Sequence, residues 1–279
     1  MKPQVTEYDL RSLDDFTLAR GAFLPNRRLI HIRDLLFTMV GRDMKLRYKR
    51  SILGIAWSLL TPLAQLAVFY LTFNILLPLN VPNYLSFLFS GVLVWNWFNG
   101  SLYQATTTIV ENRDLIKRPG FPAAVLPVVT VASHFIHFLL ALPILFVFLV
   151  WGGIGLTSAL IALPLVVAIQ FILTLSLAYF TATFYVTFRD TQHLLGVLLN
   201  LLFFLTPIFY KSSDLPPQYQ TFHRLNPMVH LIESYRAIFL AGTLPDSTTL
   251  LLLTLPSLAT LMLGYYVFRR TSDHFVDEL

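Results

Sequence analysis

Two long stretches without a charged side chain constrain this chain's fold more than any other feature. No Asp, Glu, Lys or Arg occurs in residues 51–110 or in residues 119–188. A helix needs about 20 apolar residues to cross the core of a bilayer, so each stretch can hold two crossings and a turn. The whole chain is 56% hydrophobic and 13% charged, against about 25% charged residues in a globular domain. These features predict a polytopic α-helical membrane protein.

The distribution of the 20 Lys and Arg residues predicts the topology. Basic residues in short loops stay on the cytoplasmic side of the membrane. We therefore predict an all-α integral membrane fold with six transmembrane helices and with both termini in the cytoplasm. The predicted spans are roughly residues 52–77, 84–110, 123–150, 156–188, 191–210 and 247–268. The predicted outer segments then hold only Lys211, Arg224 and Arg236.

Residues 27–41 have apolar side chains every three or four positions, which predicts an amphipathic helix. This segment is too short and too charged to span, so we place the helix in the inner membrane interface. The alternative is a solvated helix that packs on a soluble partner. Residues 211–246 predict short outer helices between spans five and six. We predict a tail with the interface helix in residues 1–50, a transmembrane domain in residues 51–270 and a cytoplasmic tail in residues 271–279.

Several kinds of chemistry are missing from the sequence. It contains no Gly-Lys pair, and hence no Gly-x-x-x-x-Gly-Lys-Ser/Thr loop with which to bind ATP. It has no cysteine, which removes thiolate metal sites and cysteine nucleophiles. The predicted spans hold no Asp, Glu, Lys or Arg, which disfavours ion coupling through buried carboxylates. If the chain moves a solute across the membrane, we expect its energy source to lie outside this polypeptide.

Polar and aromatic side chains inside the spans are open to two interpretations. Aromatic residues form interface belts and amides bond neighbouring helices, but as a group they could also line a path for a sugar chain. His134 and His137 lie one turn apart, a spacing that can hold a metal ion. Because their span has no carboxylate, we predict packing residues and no metal site. The candidate lining residues are Phe69, Tyr70, Phe73, Asn74, Trp95, Trp97, Asn99, Phe203 and Phe204.

Four segments carry a resemblance to a known family. They are RYKRSILGIAWSLLTPL (residues 47–63), ENRDLIKRPGFPAAVLP (111–127), FRD (188–190) and NPMVHLIESYR (226–236). Together, in this order, they resemble the ABC-2 type permeases, and most closely the O-antigen, capsule and teichoic-acid exporters. The resemblance covers about residues 27–270.

The resemblance implies a homodimer joined to two copies of a separately encoded ATPase. ATP and Mg²⁺ would bind to that ATPase, and this chain would be a transport subunit that is not an enzyme and binds no cofactor. Nucleic acid is not an expected partner, because the excess of basic residues lies just before the first span and suits an anionic inner leaflet. The complex would move a lipid-linked polysaccharide across the bacterial cytoplasmic (inner) membrane. The alternatives are an ABC-2 permease for a drug or lipid, and a membrane-embedded glycosyltransferase or polymerase.

The resemblance also implies roles for particular residues. The ATPase-coupling residues would be Glu111, Asn112, Arg113, Asp114, Leu115, Ile116, Lys117, Arg118 and Pro119. The outer gate would include Asn226, Pro227, Glu233 and Arg236. The basic segment (residues 42–50) either serves topology alone or attracts the substrate's diphosphate head group. Its basic residues are Arg42, Lys45, Arg47, Lys49 and Arg50.

Overall fold

A computed structural model describes residues 25–278, without the side chains of residues 25–29, 31, 221, 222, 276 and 277. Within residues 25–278 every regular element is a helix, which confirms the all-α fold class. The predicted tail of residues 1–26 lies almost wholly outside the described residues. The helices are α1 (Pro25–Arg47), α2 (Trp57–Tyr70), α3 (Tyr84–Glu111), α4 (Arg113–Ile116), α5 (Val125–Trp151), α6 (Leu163–Thr187), α7 (Thr191–Leu205), α8 (Pro217–Arg224), α9 (Pro227–Arg236), α10 (Ser247–Ser272) and α11 (Phe275–Glu278).

Four helical segments of the described chain are long and apolar enough to cross a membrane. The first combines a 3-10 turn, α2 and a π-helical end, and the third combines a 3-10 turn with α6. Helix α7 is apolar but only 15 residues long. The four candidates confirm a multi-pass membrane protein, while the count of six spans stays a prediction. They are Gly54–Leu76, Val125–Trp151, Ser158–Thr187 and Ser247–Ser272.

Helix α3 forms the centre of the bundle. Its side chains Leu88, Phe89 and Val92 are fully buried, and it packs against α2, α5, α6, α7 and α9. Helix α10 packs on α6 at Gly264, where a β-carbon would lie 2.8 Å from the carbonyl oxygen of Ser176. Small residues allow such close approach between membrane helices. The contacts to α3 hold several separate parts of the sequence in fixed positions.

Two predicted boundaries were wrong. The amphipathic helix α1, which we expected to end at residue 41, continues to Arg47. A short turn follows it, with Arg50 in the left-handed region at φ 66°. The fifth span, predicted to reach Tyr210, ends as a helix at Leu205, because Pro207 disfavours the helical conformation in the residue before it. That residue, Thr206, is extended at φ −100° and ψ 138°.

Candidate functional site

The charged loop (residues 111–122) forms a mostly exposed surface at one end of the bundle. Its short helix α4 buries Ile116, whereas Arg113, Asp114 and Lys117 are exposed. Helix α1 is tied to this loop, because Nη2 of Arg42 donates to Oδ1 of Asn112 at 2.8 Å. The carboxyl-terminal helix α11 also contacts α4. The predicted coupling residues therefore lie where three separate segments of the chain meet.

Glu111, Arg118 and Pro119 are also exposed, and Asn112 and Leu115 are partly buried. The loop thus presents charge of both signs outward and anchors itself through one buried apolar side chain. Such an arrangement suits docking to another protein, because the exposed charged side chains can form new contacts while Ile116 stays buried.

At the other predicted end, Asn226 begins helix α9. Its Oδ1 accepts a hydrogen bond from the backbone N–H of Met228 at 3.0 Å, and an Asn at this position satisfies a helix N–H that has no partner within the helix. Its Nδ2 donates to Oγ1 of Thr206 at 2.9 Å. Pro227 follows as the first helical residue, where its missing N–H and fixed φ are well tolerated. Asn226 thus connects α9 to the end of α7.

Arg236 is buried, although it lies in a segment predicted to be outside the membrane. Only 9% of its surface is exposed. Its Nη1 donates to the carbonyl oxygen of Pro207 at 2.6 Å, and its Nη2 donates to those of Ile208 at 2.8 Å and Phe87 at 3.3 Å. The guanidinium carbon lies 3.4 Å from the centre of the Phe87 ring, a cation–π contact. Burial lowers the pKa of Arg236 to about 9, so the guanidinium stays charged at neutral pH.

The predicted gate residue Glu233 has a different partner. It is exposed and accepts a hydrogen bond from the hydroxyl of Ser212. Glu233 and Arg236 therefore hold two parts of the same connection between α7 and α8. Arg236 holds its first residues, Pro207 and Ile208, and Glu233 holds Ser212 further along. The described structure places the four predicted gate residues on one short helix and its cap.

Five of the predicted lining residues lie together in one cavity between α2, α3 and α7. This aromatic cavity has a volume of about 580 Å³. The rings of Phe69 and Phe203 stack with centroids 5.6 Å apart, and Trp95 meets Phe203 edge to face at 5.7 Å. Amide groups complete the wall, and Nδ2 of Asn96 donates to Oε1 of Gln65 at 3.2 Å. The five predicted residues are Phe69, Trp95, Asn99, Phe203 and Phe204.

The other four predicted lining residues lie outside the aromatic cavity. Trp97 is buried against α5, where its Nε1 donates to the carbonyl oxygen of Val131 at 3.3 Å. Tyr70 and Asn74 line a separate cavity near the start of α3. Phe73 stacks on Phe209 with centroids 4.8 Å apart. Their role as lining residues stays a prediction.

Arg47 is the one predicted head-group residue that lines a second cavity, between α2, α3 and α5. We call it the histidine cavity; its volume is about 460 Å³. The Nη2 atom of Arg47 donates to Oε1 of Gln104 and lies 3.7 Å from Oδ2 of Asp43. Its Nη1 lies 3.3 Å from Nε2 of His137. The basic segment thus contacts the bundle through the side chain of Arg47, 28% of which is exposed. Arg47 as a whole is an exposed residue, as are Arg42, Lys45, Lys49 and Arg50.

The two histidines belong to the same cluster. Nε2 of His134 lies 2.9 Å from Oε1 of Gln104, and Nδ1 of His137 lies 3.4 Å from the hydroxyl of Tyr48. Their predicted role in packing against a neighbouring helix agrees with these contacts. No group of three His, Asp or Glu side chains that could hold a metal ion occurs in the described part of the chain.

Sequence reasoning missed Asp43, Tyr48 and Gln104 as members of this cluster. One signal was available. Asn96, Gly100 and Gln104 are four residues apart on α3, and residues at that spacing share one helix face. That face could have been matched with the two histidines on α5. The arginine could not, because α1 is distant in sequence from both helices.

The model of the family described as "ABC-2 type transporter" matches residues 34–240. The chain belongs to the ABC-2 type transporter family. The resemblance drawn from the four sequence segments is therefore confirmed.

ABC-2 type relatives are similar to this chain over most of its length. An O-antigen export system permease protein of Myxococcus xanthus is 37% identical over 91% of this chain and 98% of the relative. A protein of the same description from Klebsiella pneumoniae is 30% identical over 89% of this chain and 96% of the relative. A polysialic acid transport protein of Escherichia coli is 25% identical over 83% of this chain and 91% of the relative.

Proposed function

We propose that this chain is the transmembrane permease subunit of an ATP-driven exporter of lipid-linked polysaccharide. The observation that carries the proposal is the similarity to the Myxococcus xanthus O-antigen export permease along nearly the full length of both chains. The similarity to a polysialic acid transport protein supports a polysaccharide as the cargo. These relatives favour polysaccharide export over a drug or lipid permease and over a membrane-embedded glycosyltransferase.

The proposed topology has six spans in the bacterial cytoplasmic membrane, with both termini inside. Helices α3 and α7 supply the two spans that are not among the four candidates. Helix α3 has 28 residues, enough to cross a bilayer at 1.5 Å per residue. The 15 residues of α7 are too few to cross the bilayer as a helix, so the extended chain that follows α7 must complete this span. Arg236 supports that arrangement, because it donates to the backbone carbonyls of Pro207 and Ile208 in the chain that follows α7.

The conduction path proposed here forms between two copies of the chain. The aromatic cavity is bordered by α2 and α7. These helices and the π-helical end of the first segment expose apolar side chains such as Val68, Leu71, Leu201 and Leu205. Large exposed apolar surfaces mark contact with lipid or with another protein. In a homodimer, two such cavities would face each other and enclose a channel with aromatic faces and amides, a lining that suits sugar rings.

The energy comes from a separate ATPase in this proposal, because the sequence contains no loop for ATP. ATP and Mg²⁺ would bind to two copies of that subunit, which would dock on the charged loop. Movement of the loop would reach α1 through the Arg42–Asn112 hydrogen bond. The five basic residues of the basic segment would attract the diphosphate head of the substrate from the inner leaflet.

Co-purification tests the proposal. The tagged chain is isolated from its native membrane, the proteins that accompany it are identified, and ATP hydrolysis is assayed. We expect an ATPase subunit with a phosphate-binding loop in equal amount. Glu111→Lys, on the exposed charged loop, should release that subunit, whereas Asp214→Lys, on the predicted outer side, should retain it. A chain that purifies alone and without ATPase activity would contradict the proposal.

A further inference from the structure

The histidine cavity differs from the aromatic cavity in having charge at one end. Its polar end is formed by Arg47, His137 and Tyr48, whose contacts are described above. The two cavities adjoin, because Asn96 and Asn99 line both of them. A ligand in the histidine cavity would therefore lie next to the proposed conduction path. The volume of the histidine cavity, about 460 Å³, falls within the range of about 300–1,000 Å³ typical of small-molecule sites.

The polar end has the chemistry of a phosphoryl site. A guanidinium presents a planar fork of N–H donors that matches the oxygens of a phosphoryl group. The imidazole of His137 and the hydroxyl of Tyr48 lie next to it and are groups that can donate to an anion. Oδ2 of Asp43 lies 3.7 Å from Nη2 of Arg47, whereas His137 faces Nη1, and the carboxylate helps to hold the guanidinium in place.

The rest of the cavity has the chemistry of a sugar site. Trp57 and Phe138 supply aromatic surface, and the amides of Asn96 and Asn99 can bond to hydroxyl groups. Ser58 and Thr61 line the same wall, and each hydroxyl donates to a carbonyl oxygen of its own helix. Their oxygen atoms can therefore still accept a hydrogen bond from a ligand. Trp57 is half exposed, so it lies at the mouth of the cavity.

One glycine indicates that the polar end is closely fitted. A β-carbon on Gly100 would lie 2.6 Å from Cε1 of His134. The missing side chain lets the imidazole lie against α3, where its Nε2 reaches Gln104 at 2.9 Å. Gln104 in turn accepts from Arg47. The position of the arginine thus depends on contacts from three helices.

We propose that the histidine cavity binds a glycosyl phosphate, with the phosphoryl group at Arg47 and His137 and the sugar ring against Trp57. This inference rests on the proposed export function and adds where the phosphorylated end of the glycan is held. The site lies inside one protomer, beside the channel. It holds the end of the substrate at the point where the basic segment enters the membrane.

Binding measurements test the site with N-acetylglucosamine 1-phosphate as the probe. The purified chain is placed in phosphatidylcholine nanodiscs and titrated by calorimetry with the probe, with inorganic phosphate and with N-acetylglucosamine. We expect the sugar phosphate to bind more tightly than either part alone. Arg47→Met should weaken its binding at least tenfold, whereas Arg33→Met, an exposed arginine on the same helix, should change it less than twofold.

Trp57→Ala separates recognition of the sugar from a loss of folding. Because Trp57 lies at the mouth, we expect this variant to elute normally on size exclusion and to weaken binding of the sugar phosphate but not of inorganic phosphate. Equal binding by the Arg47→Met and Arg33→Met variants, or no binding of the probe, would overturn the inference. If the unaltered chain still co-purifies with an ATPase, such a result rules out the glycosyl phosphate site but does not contradict the proposed export function.

Discussion

Gly91 on α3 lies directly against Arg236 on α9. A β-carbon on Gly91 would lie 3.0 Å from Nη2 of the guanidinium and 3.2 Å from the carbonyl oxygen of Ile208. Only glycine leaves the full space that the arginine needs to reach that carbonyl. The contact joins the central helix to the chain that follows α7, at the predicted outer end of the bundle.

Arg236→Met is expected to lower the free energy of unfolding by about 3 kcal/mol or more, because three backbone carbonyls lose a charged donor. Arg236→Lys should lower the free energy of unfolding by a smaller amount, since an ammonium keeps the charge but not the planar fork of donors. The measurement is the apparent melting temperature in detergent. Arg269→Met is the control, since Arg269 is exposed at the end of α10. Equal melting temperatures for the Arg236→Met and Arg269→Met variants would contradict the role of Arg236.

Asn226 makes two contacts that can be separated by substitution. Asn226→Asp keeps an oxygen that accepts from the N–H of Met228 but loses the donor to Thr206. Asn226→Ala loses both, and loss of the helix cap alone costs about 1 kcal/mol. We expect the alanine variant to melt below the aspartate variant, and the aspartate variant below the unaltered chain. If the alanine variant melts at or above the aspartate variant, the cap contributes nothing here.

Gly100 and His134 should be coupled. Gly100→Ala is expected to destabilise the chain, although alanine is the better helix former by about 1 kcal/mol, because the new methyl group meets the imidazole. His134→Ala removes that ring. The double variant should therefore be more stable than the sum of the single changes predicts, by about 1 kcal/mol. Additive effects in a double-mutant cycle would show that the imidazole moves aside freely.

The absence of cysteine allows a direct test of topology. Lys117→Cys in the charged loop and Ser213→Cys before α8 are both at exposed positions. With a membrane-impermeant maleimide, we expect Ser213→Cys to react in intact spheroplasts and Lys117→Cys to react only after the membrane is opened. Labelling of both from outside would contradict the six-span arrangement with inner termini.

The existence and order of the helices were predictable, because uncharged stretches of membrane length have few other structures available. The position of Arg236 was not. A lone arginine in a predicted outer segment indicates solvent, and its burial depends on Pro207 ending α7 early and exposing carbonyls nearby. Pro207 itself predicts a helix end at this place. The apolar residues on both sides of it nevertheless favoured a longer span.

The candidate site was predictable only in part. The aromatic residues Phe69, Trp95 and Phe203 contact one another, but Trp97, two positions from Trp95, packs on the other side of α3 against α5. Hydrophobic pattern alone does not distinguish two apolar faces of a largely buried helix. The contact of Arg47 with His137 joins residues ninety positions apart, and local sequence pattern contains no information about it.

The most direct test of export compares the glycan on the two sides of the cytoplasmic membrane. The gene for this chain is deleted from its bacterium, and the surface polysaccharide and the intracellular lipid-linked glycan are measured together. The account predicts loss of the surface polysaccharide with accumulation of the lipid-linked glycan inside, and restoration of both by the unaltered chain. Loss of the surface polysaccharide without accumulation inside would place the defect in synthesis and contradict a role in export.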